Sequence, residues 1–125
     1  MGLVRMACGE DKEIIEVFRN VFRRVISSCL GGSVVEAVLF LLRERLRRDP
    51  FEVLWDDPKA FYSEMFRVFG DGAKVLVSVL VVGINNKYGL REDPSRLLEV
   101  MRSGQGSPDY VRSFMRRVAE VAGGE

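Results

Sequence analysis

Histidine and threonine are absent from this sequence, glutamine occurs once (Gln105) and cysteine twice (Cys8 and Cys29). Without histidine the side chain that most often serves as general base and metal ligand is missing, which excludes nucleophile–histidine arrangements and most zinc sites. The two cysteines stand far apart in a chain with no apolar leader between Met1 and Gly9, so a cytoplasmic protein without a structural disulfide is expected. Cys8 falls in a stretch read as a flexible tail. Cys29 falls on an apolar helix face, where a free cysteine behaves as a small buried hydrophobe. A long hydrophobic run is lacking too: Val75 to Ile84 is broken by Ser78 and falls short of the roughly 20 residues needed to cross a bilayer, so no membrane association is expected. Charge of one sign is also scarce, with a net charge of +1, so any attraction for nucleic acid has to come from a local patch.

What is present is the composition of a folded domain, 47% hydrophobic and 30% charged over 125 residues, enough for one core and one domain spanning 1–125. Arginine dominates lysine and amides are few, a bias that suits a thermophile. From Asp11 to Leu30 the apolar positions Ile14, Ile15, Phe18, Val21, Phe22, Val25, Ile26, Cys29 and Leu30 recur with a helical period. Gly31 and Gly32 end that helix, and Ser33 with Glu36 has the spacing of a capping box for the next. The second helix, 33–48, is apolar on all sides through Leu42 and then runs out into Arg43, Arg45, Arg47 and Arg48. Such a helix is expected to be central and to emerge at the surface only at its end.

All four prolines follow Asp or Ser, in Asp49-Pro50, Asp57-Pro58, Asp93-Pro94 and Ser107-Pro108. An oxygen-bearing cap followed by proline at the first helical position is a helix start, since proline's missing donor would have been unpaired there anyway. The spacing predicts a short turn over 50–55, helices from Pro58, Pro94 and Pro108, and a further cap at Asp71. Segment 73–88 has the β-branched composition of a buried strand (Val75, Val77, Val79, Val81, Val82, Ile84), but its length favours a second central, buried helix closed by Gly89. The fold class is therefore all-α, a bundle of five to six helices. Residues 1–10 are expected to form a flexible tail and residues 123–125 a frayed end.

Chemistry-bearing patterns are thin. Asp56-Asp57 and Glu10-Asp11 are adjacent acids, but Asp57 reads as a helix cap, and Gly70 to Lys74 has a lysine without the rest of a phosphate loop. No catalytic residue, cofactor or metal is expected. Phe51 and Trp55 read as lids on the core. Arginines cluster at Arg43, Arg47 and Arg48 and again at Arg112, Arg116 and Arg117, the last three spaced to share a helix face; these six are the candidate contacts for a partner or for nucleic acid. The helix after Gly31-Gly32 has no polar surface with which to read a groove, which disfavours nucleic acid. Two helices apolar nearly all round leave much to hide, and a homodimer through one of them would hide it.

Ile26 to Leu42, with Leu30-Gly31 before Ser33 and then Glu36-Ala37, followed by Phe66 to Leu76, with Phe69-Gly70 before Gly72-Ala73-Lys74, resembles a small family of archaeal helical domains similar to the nitrosopumilus output domains. The resemblance covers residues 24–90. It implies a signalling or protein-interaction role without enzymatic activity, transfers no catalytic residue, and leaves 94–122 as a place for functions of this protein's own. The readings that remain are a non-enzymatic, dimeric interaction module, a nucleic-acid-associated regulator using the arginines, and a small-molecule sensor with an apolar pocket between helices.

Overall fold

A computed structural model describes residues 2–123, with side chains from Asp11 onward. Among these residues the chain forms α1 (Gly2–Leu30), α2 (Gly32–Leu46), α3 (Pro50–Asp56), α4 (Pro58–Phe69), α5 (Gly72–Tyr88), α6 (Pro94–Ser103) and α7 (Asp109–Ala122), and no strand. Seven helices replace the expected five to six because the expected turn at 50–55 closes as a full helix. Asp49 accepts the Phe51 N–H at 3.0 Å, Pro50 takes the first helical position, and Phe51, Val53, Leu54 and Trp55 are all buried. The first helix begins at Gly2 rather than Asp11, so the backbone of 2–10 continues α1 where a flexible tail was expected. The side chains of residues 1–10, Cys8 among them, and the expected fraying of Gly124 and Glu125 lie outside the described residues.

The proline starts hold at Asp57 and Asp93, whose carboxylates accept the N–H groups of Ala60 at 3.2 Å and Ser95 at 3.0 Å. They fail at Ser107-Pro108: Pro108 itself becomes the cap residue, and the first bond of α7 comes from Tyr110 N–H to the Gly106 carbonyl. The capping box at Ser33 does not form either. Glu36 is drawn across to Arg23 of α1, and α2 begins on Gly31, whose φ of 99° only glycine adopts without strain. At the α4–α5 corner Asp71 makes no side-chain cap, since its own carbonyl and that of Gly70 take the first N–H groups of α5.

The helix at the centre is α1, which touches α2, α3, α5 and α7. Its apolar stripe meets Phe51 and Phe114 edge-on: the Phe18 ring lies 6.3 Å from Phe51 and 6.0 Å from Phe114, and Phe22 lies 5.1 Å from Phe51. α2 and α5, expected to be central, are instead flanking helices with one buried face each: Val35, Val38, Leu39 and Leu42 on α2, and Ala73, Leu76, Val77, Leu80, Val81 and Ile84 on α5. With α3 and α7 covering the rest of α1, the surplus apolar side chains of the flanking helices face out. Cys29, near the end of α1, is exposed where burial was expected.

α5 approaches α1 closely at Gly83. A Cβ there would stand 2.4 Å from Cγ1 of buried Val25, a β-branched side chain with little freedom to turn away on a helix. Gly83→Ala should therefore destabilise by about 1–3 kcal/mol despite a helix-propensity gain of about 1 kcal/mol. Thermal melts of Gly83→Ala, Val25→Ala and the double variant test this: the double variant should be more stable than the sum of the single losses, because trimming Val25 makes the room.

Candidate interaction surface

α2 carries three faces because its apolar residues outnumber what one buried stripe can use. One packs on α1 and α4. A second points outward with Val34 (40% exposed), Ala37 and Leu41 (39% exposed) at spacings of three and four residues. Between these and the third face stands Phe40, 62% exposed, the most exposed large apolar side chain described. Isolated exposed hydrophobics are ordinary, but four on consecutive turns of one helix form a patch that water disfavours.

The third face borders a groove formed with α1 and α3, a space of ≈ 450 Å³ lined by Arg19, Arg23, Glu36, Phe40, Arg43 and Asp49. It continues past Arg43 and Asp49 into an open hollow walled by Glu44, Arg47 and Arg48. Most of the charge here is spent within the fold: Arg19 bonds Glu16 and Asp49, and Arg23 bonds Glu36. Arg43 and Arg47 have no ion pair or hydrogen bond from their side chains among the described residues.

Arg47 caps α2 at φ 61°, ψ 23°, the one residue other than glycine with positive φ among those described; α5 and α6 end in the same left-handed conformation on Gly89 and Gly104. A β-carbon in that conformation costs on the order of 1 kcal/mol relative to glycine. Arg47→Gly should accordingly raise stability by about 1 kcal/mol and the melting temperature by about 3–5 °C, read in a thermal melt.

The six candidate arginines separate. Arg48 reaches α3, donating to Asp56 at 2.8 Å with Glu52 3.8 Å away, and Arg112 of α7 comes within 3.9 Å of the same Asp56. Arg112 also donates to the Trp55 carbonyl at 2.8 Å, and the guanidinium groups of Arg112 and Arg116 lie 5.2 and 5.3 Å from the centre of the Trp55 ring. Two clusters some seventy residues apart in sequence are thus joined through α3 into one belt running from Arg43 to Arg116, and Trp55 is buried beneath it, as a lid on the core should be. Arg117 does not share this face. It points to the other side of α7 and donates at 2.7 Å to Glu92, whose side chain is only 3% exposed. The α6–α7 segment thereby completes the core through Leu97, Met101, Val111, Phe114 and Met115, and holds the 89–93 connection in place.

Glu92 is the residue that sequence reasoning missed. Its carboxylate accepts from Tyr110 and Arg117, while its backbone N–H donates to Asn85 Oδ1 at 3.1 Å and its carbonyl accepts from Asn85 Nδ2 at 2.9 Å. It is the one buried charged side chain among the described residues; two bonds satisfy its carboxylate and two more its backbone.

Among the described residues no three His, Cys, Asp or Glu side chains converge on a metal-sized position, and no helix is long and apolar enough to cross a membrane. The core encloses one small apolar void, ≈ 20 Å³, between Phe18, Phe61, Met65, Leu97 and Phe114, about the space of a single water. No family model matches the chain, and no curated protein or solved structure matches it.

Proposed function

We propose that this chain is a non-enzymatic docking module that pairs with a second copy of itself across the outward face of α2. The exposed row Val34, Ala37, Phe40 and Leu41 carries the reading. Its three-and-four spacing is that of a helix–helix seam, and Ala37 is small enough to let two helix axes approach. A two-fold pair needs only one such face, used twice. Charge sets the direction. The end of α2 holds Arg43, Arg45, Arg47 and Arg48 while its first half holds Glu36 alone, so antiparallel pairing keeps the two arginine-rich ends apart. α5 offers a weaker face, with Val75 and Val82 exposed but Ser78 between them and Lys74 and Asn86 at its ends.

The arginine belt supports nucleic-acid binding less than its length suggests, because Glu44, Asp49, Glu52 and Asp56 interleave with it and would face a phosphate chain. The signalling role implied by the resemblance to output domains fits a module whose surface feature is a docking face. Sedimentation velocity at high micromolar concentration tests the proposal. Leu41→Glu should weaken self-association by about 100-fold or more, the loss expected of a central apolar contact, whereas Val82→Glu on α5 should leave it unchanged. Dissociation by Val82→Glu and not by Leu41→Glu would move the interface to α5 and overturn the assignment.

A further inference from the structure

At the edge of α4's packing on α5 and α6, three features meet in one recess. Phe66 is 45% exposed, and the Tyr62 ring stands 6.2 Å from it. The Tyr62 hydroxyl is sealed from water and has no hydrogen-bond partner, although the residue is 96% buried by its 4% exposure. A buried hydroxyl without a partner is costly and uncommon in folded proteins. Lys74, in the first turn of α5 after the Gly70-Asp71 corner, has no carboxylate partner among the described residues. Arg67 and Arg102 complete the rim, and together these side chains line an open recess of ≈ 490 Å³, within the volume range of small-molecule sites.

The charges divide unevenly. Arg102 donates to Glu99 at 2.7 Å and Arg67 stands 3.7 Å from Glu64, so both are partly compensated, while the Lys74 ammonium is not. A recess with two aromatic rings on its wall and one free cation at its rim suits a ligand with a planar apolar body and a single anionic group. The apolar body would cover Phe66, the anion would meet Lys74 and share Arg102, and an outward swing of the Tyr62 side chain would give its hydroxyl the partner it lacks. We propose that the recess between α4, the start of α5 and the end of α6 binds a small aromatic phosphate or carboxylate, held by Phe66, Lys74, Arg102 and Tyr62. This supplies the polar anchors that an apolar inter-helix pocket alone would lack, and it is independent of the α2 face.

Isothermal titration calorimetry with 2-naphthyl phosphate, using 2-naphthol and inorganic phosphate as controls, tests it on the full chain. 2-Naphthyl phosphate should bind at least about tenfold more tightly than either control, since each supplies only half of the recognition. Lys74→Glu and Phe66→Ala, both at exposed positions, should each weaken it by about tenfold or more. Tyr62→Phe should raise the melting temperature of the free protein, by removing the orphaned hydroxyl, and yet weaken binding; a purely structural tyrosine would not move affinity. Leu41→Glu should leave binding unchanged, so failure of the α2 interface and failure of this site are told apart. Equal binding of 2-naphthol would reduce the recess to an apolar patch, equal binding of inorganic phosphate would reduce it to a bare cation, and no measurable heat with any probe would remove the site; each overturns the proposal.

Discussion

Phe18→Ala should destabilise the protein by about 3–5 kcal/mol, a large part of the roughly 5–15 kcal/mol that holds a domain together. Phe18 lies midway along the helix around which the others are arranged, 1% exposed, with its ring edge-on to Phe51 of α3 and Phe114 of α7. It also lines the ≈ 20 Å³ void, so truncation would merge the space left by the ring with a gap already present. The neighbours cannot close that gap cheaply, because Phe51 and Phe114 are held from behind by α3 and α7, and a persistent cavity adds to the lost transfer energy. Urea denaturation should show a lower midpoint with an unchanged slope. A loss under 1 kcal/mol would mean that α1 is not the centre of the fold.

The second large effect concerns Glu92. Removing one partner of a buried ion pair ordinarily costs about 3–5 kcal/mol; because the Arg117 side chain is 43% exposed and can recover water, about 2–3 kcal/mol is expected for Glu92→Ala. The double variant Glu92→Ala/Arg117→Ala should lose less than the sum of the two single variants, a coupling of about 1 kcal/mol or more. Additive losses would show that the pair does not interact.

The same network gives the stability an alkaline limit. Burial, and next the bond to Glu92, push the Tyr110 phenol above its ordinary value, and burial pushes Tyr62 in the same direction. A phenol whose folded value is raised favours its neutral form in the fold. Its contribution is complete below the unfolded value near pH ~10 and is lost as pH rises through the folded value. Melting temperature should therefore fall above pH ~10, and Tyr110→Phe should flatten that fall while lowering stability at neutral pH through the lost bond.

Local chemistry made the helix boundaries legible. Asp before Pro specifies a start whatever the surroundings, which is why Asp49, Asp57 and Asp93 cap as expected. Ser33 and Glu36 have an equally good local pattern and fail, because a guanidinium on α1 competes for the Glu36 carboxylate and sequence spacing carries no trace of it. A helix start after Gly31-Gly32 made α2 legible, and length made α5 legible against its strand-like composition, but hydrophobic content did not reveal the depth of either. An apolar surplus reads the same whether the protein buries it in its own core or leaves it for a partner, and here Phe40, Val34 and Leu41 are left outside.

The arginine clusters show the converse. Their positions were visible, but their sorting into a belt over Trp55 and one tie to Glu92 depends on how α3 and α7 cross. Glu92 had no local signal at all. In sequence it is one acid among Arg91, Glu92 and Asp93, and only the packing of α5, α6 and α7 makes it the buried one.

Native mass spectrometry of the unmodified protein at high micromolar concentration tests the α2 interface most directly. A particle of twice the 14.2 kDa chain mass, converted to the single-chain mass by Leu41→Glu, is the predicted result. A single chain of 14.2 kDa at every concentration would contradict it and leave the outward face of α2 without its proposed partner.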